Sequence, residues 1–79
     1  MKFEGEDLDL FNEVHFIMVV LVRRRLQENG NDLHDTSLYC DKIAAHLLNS
    51  YSYKEDLVCE AARIVKRLII GTINSVKHN

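Results

Sequence analysis

The sequence predicts a small all-α protein, on three observations. Its 79 residues include no proline and only three glycines, too few turn residues for a sandwich or barrel, which needs a turn about every 8–12 residues. The hydrophobic fraction of 47% is too high for a disordered chain. Apolar residues recur at spacings of three and four, the period of a helix face. The sequence therefore predicts a single helical domain over residues 1–79.

The first helix is predicted over about residues 8–28. Acidic residues near its start and arginines near its end both suit the helix dipole. Its apolar residues, Phe16 and Val20 among them, run round most of the circumference, which is typical of a helix buried on all sides. A strand is the alternative, because several of these residues are β-branched. The chain offers no second strand to pair with it, and this favours the helix.

Residues 1–7 form a candidate disordered acidic arm ahead of this helix. The arm carries Phe3 beside Glu4 and Glu6. Two interpretations stay open: an acidic and aromatic segment that docks onto a basic partner, or a frayed terminus.

The second helix is predicted over about residues 36–48. It follows a turn at residues 29–32, where Gly30 is placed to supply a left-handed residue. Three side chains before the apolar stripe suit an N-cap: Asp35, Thr36 and Ser37.

The third helix is predicted over about residues 53–76. Ser52 and Glu55 have the spacing of a capping box, in which each side chain satisfies a backbone N–H at the helix start. Gly71 is a weak point within the helix, costing about 1 kcal/mol relative to Ala.

The lengths of these helices predict a homodimer, either intertwined or packed side by side. A second helix of about 20 Å cannot cover two helices of roughly 30 Å, and twofold dimers are the commonest oligomers. The residues predicted to form the core or dimer contact are apolar and lie on the first and third helices: Phe11, Val14, Ile17, Met18, Leu21, Leu57, Ala61, Ile64, Val65, Leu68 and Ile69.

No motif predicts catalysis, a metal site or a cofactor. Cys40 and His46 are six residues apart, so they do not share a helix face, and no pair of His or Cys residues has metal-ligand spacing. Both cysteines, Cys40 and Cys59, lie on or beside apolar stripes, where a thiol is inert. We expect them to be reduced in a core, which suits a cytoplasmic protein.

A membrane is not an expected partner. No basic region precedes an apolar stretch at the N-terminus, so we expect no signal peptide. The longest apolar run, residues 16–22, has seven residues, whereas a membrane span needs about 20.

Two basic clusters are candidate contacts for nucleic acid or a partner protein. One is the consecutive run Arg23, Arg24 and Arg25, and the other, Arg63, Lys66 and Arg67, lies on one face of the third helix. The formal net charge of −2 supplies no overall positive field, so nucleic acid is the less favoured partner. The alternative is that both clusters are solvent-exposed helix faces with no binding partner.

The sequence resembles the YmgB/AriR family over about residues 13–68. The residues that carry the resemblance are Gly30, Asn31, Asp32 and Leu33, then Ile43 and Leu47, then Asp56, Leu57 and Val58 before Ala62, Arg63, Ile64 and Val65. This resemblance implies a small dimeric helical regulator connected with biofilm formation, acid stress and two-component signalling.

A second resemblance is to the YejL-like family of small dimeric helical proteins of unknown role. It rests on residues 35–38 ahead of an amphipathic helix that ends at residues 47–49.

The function favoured by the sequence is a non-enzymatic regulatory or adaptor protein that acts as a homodimer and binds another protein. Two alternatives stay open. One is a DNA-associated dimer that uses the basic face of the third helix, and the other is a small inhibitor from a virus or mobile element.

Overall fold

Three helices make up the computed structural model, which describes residues 3–50 and 54–78, with side chains to residue 72. They are α1 (Glu6–Glu28), α2 (Leu33–Ser50) and α3 (Glu55–His78). Every pair of helices is in contact, so the chain forms a three-helix bundle of about 40 × 24 × 15 Å. The predicted all-α fold and the order of its helices are confirmed.

Helix α1 begins two residues before its predicted start. Gly5 precedes it at φ 61°, a left-handed conformation that glycine adopts without strain. Glu6, Asp7 and Asp9 occupy the first turn, where their negative charges interact favourably with the positive end of the helix dipole. Phe3 stacks on Phe11, with ring centres 5.3 Å apart, so the residues just before the helix pack along its first turns.

The turn after α1 reverses the chain within four residues. Gly30 and Asn31 both have positive φ, at 69° and 67°, and the Asn31 N–H donates to the Leu26 carbonyl at 2.9 Å. These left-handed residues end the helix and satisfy one of its last carbonyls. The predicted role of Gly30 is confirmed.

Helix α2 is capped by Asp32, and not by the predicted Asp35, Thr36 or Ser37. The Asp32 carboxylate accepts the Asp35 N–H at 3.0 Å, and its carbonyl accepts the Thr36 N–H at 3.0 Å. The helix therefore starts at Leu33 and has 18 residues, about 27 Å. At this length it contacts both α1 and α3.

Helix α3 begins at Glu55, within two residues of its predicted start. Ser52 of the predicted capping box lies outside the described residues. The Lys54 ammonium contacts the Asp7 carboxylate at 2.7 Å, tying the start of α3 to the start of α1. No helix in the described part of the chain is long and apolar enough to cross a membrane.

The core lies along the centre of the bundle and draws on all three helices. Its buried hydrophobic residues are Phe11, Val14, Met18, Val22, Leu26, Cys40, Ile43, Leu57, Val58, Ala61, Ala62, Val65 and Ile69. Thr36 is fully buried with them, and within the described residues it is the one buried polar residue.

Several of the residues predicted to form the core or dimer contact are not fully buried, although Leu21 and Ile64 pack against the buried cluster. Leu68 is 53% exposed, whereas Ile17, Leu21 and Ile64 are half-buried. The expectation that the first helix is buried on all sides is wrong for a single chain. Phe16 is 68% exposed and Val20 39%, because α2 and α3 both pack on the opposite side of α1.

Candidate functional site

The three consecutive arginines of α1 divide between two surfaces. The Arg25 guanidinium donates to both Asp35 carboxylate oxygens at 2.9 and 3.3 Å. Its Cζ lies 5.0 Å from the centre of the Tyr39 ring, so this side chain leans onto α2. Arg23 and Arg24 are exposed. Consecutive helical residues point in different directions, and the run does not form one basic surface.

A polar network surrounds the Arg25–Asp35 pair at the α1–α2 turn. The Asn29 side-chain amide donates to Asp35 Oδ2 at 2.7 Å and to Thr36 Oγ1 at 2.9 Å. The Thr36 hydroxyl donates to the Asp32 carbonyl at 2.7 Å. The hydrogen bond from Arg25, followed by that from Asn29, lowers the pKa of Asp35. Through Arg25 and Asn29, this network joins the end of α1 to the first turn of α2.

Two of the three cations of the predicted basic face on α3 have carboxylate partners. The Arg63 guanidinium donates through Nε to Glu60 Oε2 at 3.2 Å and also contacts Glu60 Oε1. The Lys66 ammonium contacts the Asp41 carboxylate of α2. Arg67 is exposed. The predicted face exists, but two of its positive charges are balanced locally, and this weakens its attraction for phosphate.

The two cysteines have different environments. Cys40 is fully buried, with Sγ 3.9 Å from the Ala62 carbonyl oxygen, and burial raises the pKa of its thiol. Cys59 is exposed, so the expectation of a buried thiol is wrong at this position. It lies on the outward side of α3, whereas the neighbouring Val58 faces the core. No three His, Cys, Asp or Glu side chains within the described residues group as metal ligands.

An apolar groove of about 430 Å³ separates the second half of α1 from α3. Leu68, exposed on α3, forms part of it, and Arg23 lies at its α1 side. The lining residues are Val19, Val22, Arg23, Leu26, Gln27, Asn31, Val65, Leu68, Ile69 and Thr72. Sequence reasoning missed this groove, because its walls meet only once the helices have packed. The wide apolar arc of α1, through Val19 and Leu26, was the available signal.

A second, smaller groove of about 330 Å³ lies between α1 and α2. Its lining residues are Ile17, Leu21, Tyr39, Lys42, Ile43, His46 and Leu47. Ile17 and Leu21, predicted to be core or dimer residues, therefore border an open surface.

Further apolar side chains are exposed outside both grooves. They lie on the outward sides of all three helices: Phe16 and Val20 on α1, Leu38 on α2, and Ile70 on α3. Leu38 is 56% exposed and Ile70 44%. This is apolar surface that the fold of one chain leaves in contact with water.

Comparison with protein-family models, curated proteins and solved structures gives no match to this chain. The resemblances to the YmgB/AriR and YejL-like families remain predictions.

Proposed function

We propose that this protein is a non-enzymatic adaptor or regulatory protein that acts as a homodimer and binds a partner protein. The observation that carries this proposal is the apolar surface left exposed after the core has closed. Phe16, Leu38 and Leu68 are each more than half exposed. Phe16 lies one helical turn from the exposed Val20, and Leu68 lies among the apolar walls of the α1–α3 groove. Contiguous apolar surface of this kind marks sites of association.

The chemistry of the polar residues supports binding over catalysis. Arg25 and Asp35 are engaged in the turn network, and Lys66 pairs with Asp41. The Cys40 thiol is buried and its pKa is raised, the opposite of what activates a nucleophile. The resemblance to the YmgB/AriR family, whose members are dimeric regulators, agrees with this proposal.

The groove between α1 and α3 is the proposed partner site. A groove between two helices accepts an amphipathic helix, which lays its apolar side chains into it. Val19 and Leu68 supply apolar walls, and Arg23 supplies an exposed positive charge at the side. The proposed occupant is therefore a partner helix with an apolar face and an acidic residue placed to meet Arg23.

Thermal unfolding at several protein concentrations tests the dimer. Association of folded chains stabilises them by mass action, so the melting temperature rises as concentration increases. We expect a rise over the range 5–500 µM, chosen to span weak and tight dimers. A melting temperature independent of concentration, with a monomer mass throughout, would contradict the dimer.

Partner capture with two matched variants tests the groove. Leu68→Asp places a charge in the groove, whereas Ile70→Asp places the same charge on the outward side of α3. After nuclease treatment of a lysate, we expect the wild-type chain and Ile70→Asp to retain the same partner and Leu68→Asp to lose it. Equal retention by both variants, each folded by circular dichroism, would contradict the groove as the partner site.

A further inference from the structure

The outward face of α1 combines exposed apolar residues with separated charges. Phe16 and Val20 are one helical turn apart and form a short apolar stripe on the side opposite the buried residues Val14 and Met18. At 1.5 Å per residue, the helix continues for roughly 15 Å on either side of this stripe. The stripe thus lies near the middle of a long, uncovered helix face.

The charges on this face change sign across the stripe. Glu13 lies on the N-terminal side and Arg24 on the C-terminal side, both exposed. At 100° per residue, the two charges fall within about 20° of each other around the helix, on the same edge of the stripe. Neither forms a salt bridge with any side chain that the structure describes. Each charge is therefore free to meet an opposite charge from outside the chain.

We propose that this face binds the same face of a second copy, with the two α1 helices antiparallel. The stripe of Phe16 and Val20 packs against the same stripe of the partner subunit, and Glu13 pairs with Arg24 of the partner subunit. Twofold symmetry makes each contact twice. This inference rests on the homodimer of the proposed function and assigns the surface that forms it.

Helix geometry determines the antiparallel direction. In an antiparallel pair, residues on the same edge of the two stripes meet, at positions equally far from the centre on opposite sides. Glu13 and Arg24 satisfy both conditions about a centre between residues 18 and 19. In a parallel pair Glu13 and Arg24 of the partner subunit would instead lie 11 residues, or about 16 Å, apart along the helix axes, so the opposite charges could not meet.

Residues of the core cannot form this contact. Phe11, Val14 and Met18 are buried by α2 and α3 of their own chain. A second copy could reach them only if the bundle opened. The exposed stripe needs no rearrangement, so a dimer forms from two folded bundles.

Charge reversal at the paired positions tests the arrangement by sedimentation equilibrium. Glu13→Arg and Arg24→Glu each place like charges opposite each other twice in the dimer. Exposed ion pairs contribute up to about 1 kcal/mol each, so we expect the dimer dissociation constant to rise about tenfold for either variant. An equimolar mixture of the two variants restores opposite pairing, and the double variant E13R/R24E restores it within one chain.

Arg67→Glu is the matched control for Arg24→Glu. It makes the same charge change at an exposed position on α3, and its expected dissociation constant is that of the wild-type chain. Circular dichroism verifies the fold of every variant. A higher dissociation constant in both single variants and its return to the wild-type value in the mixture support the proposal.

Two outcomes would overturn the proposal, and they have different consequences. Wild-type affinity in both single variants, or no recovery in the mixture, excludes the antiparallel α1 contact but leaves the homodimer of the proposed function intact. A wild-type chain that stays monomeric up to 500 µM excludes the homodimer itself.

Discussion

Replacement of Thr36 by Val should destabilise the chain, although the two side chains have nearly the same shape. Thr36 is fully buried, and its hydroxyl accepts a hydrogen bond from Asn29 at 2.9 Å and donates one to the Asp32 carbonyl at 2.7 Å. The first bond joins the end of α1 to the first turn of α2, and the second joins that turn to the Asp32 cap. The substitution removes them without opening a cavity.

The expected cost follows from what remains after the substitution. Each lost hydrogen bond contributes about 0.5–1.5 kcal/mol net. Asn29 still donates to Asp35, and the Asp32 carbonyl still accepts the backbone N–H of residue 36, so no partner is left without a bond. Burial of a methyl group in place of the hydroxyl returns up to about 1 kcal/mol. We therefore expect a loss of about 1–2 kcal/mol in the free energy of unfolding.

Urea unfolding followed by circular dichroism at fixed protein concentration measures this loss. A change of that size lowers the melting temperature by about 5–15 °C in a domain of this length. Thr72→Val is the control, because Thr72 donates the same kind of bond to the Leu68 carbonyl at 2.9 Å from an exposed position. The control should change stability by less than about 0.5 kcal/mol. Equal effects of the two substitutions, or a more stable Thr36→Val, would refute this account of the turn.

Three further predictions concern pH, thiol reactivity and nucleic acid. Because the pKa of Asp35 is lower in the folded than in the unfolded chain, its stabilisation is present above the unfolded pKa. It is lost as pH falls through the folded pKa. Below about pH 4, the free energy of unfolding measured in urea should therefore fall less steeply with decreasing pH for Asp35→Asn than for wild type. The same dependence on pH in both proteins would contradict this. A thiol reagent should label Cys59 at once and Cys40 only on unfolding; Cys59→Ser should remove the fast phase, and fast labelling of two thiols would show that Cys40 is accessible. A third variant replaces the three residues of the predicted basic face, Arg63, Lys66 and Arg67, by Gln. Its fold and mass should match wild type, and wild-type binding to duplex DNA should be weak at physiological salt; tight binding lost in the variant would favour the DNA-associated dimer.

The fold class could be predicted from the sequence because its signals are local. Apolar spacing, acidic first turns and the left-handed residue at Gly30 each act within a few residues. The start of α2 was misplaced for a related reason. Asp32, Asp35, Thr36 and Ser37 are all suitable caps by residue type, and only the arrangement of the turn decides that Asp32 accepts the free N–H.

The functional surfaces could be predicted only in part. The wide apolar arc of α1 indicated more apolar surface than one chain can bury, and Phe16 and Val20 are indeed exposed. Which residues stay exposed depends on where α2 and α3 pack against α1. The spacing of apolar residues along one helix does not determine those positions. The pairing of Lys66 with Asp41 likewise joins residues 25 positions apart, so the neutralised basic face was not visible in the sequence.

The proposed function requires that two folded chains associate. Sedimentation equilibrium of the wild-type protein across the range 5–500 µM tests it most directly. We expect a mass that rises with concentration toward twice 9.2 kDa. A mass that stays at 9.2 kDa over the whole range would contradict it.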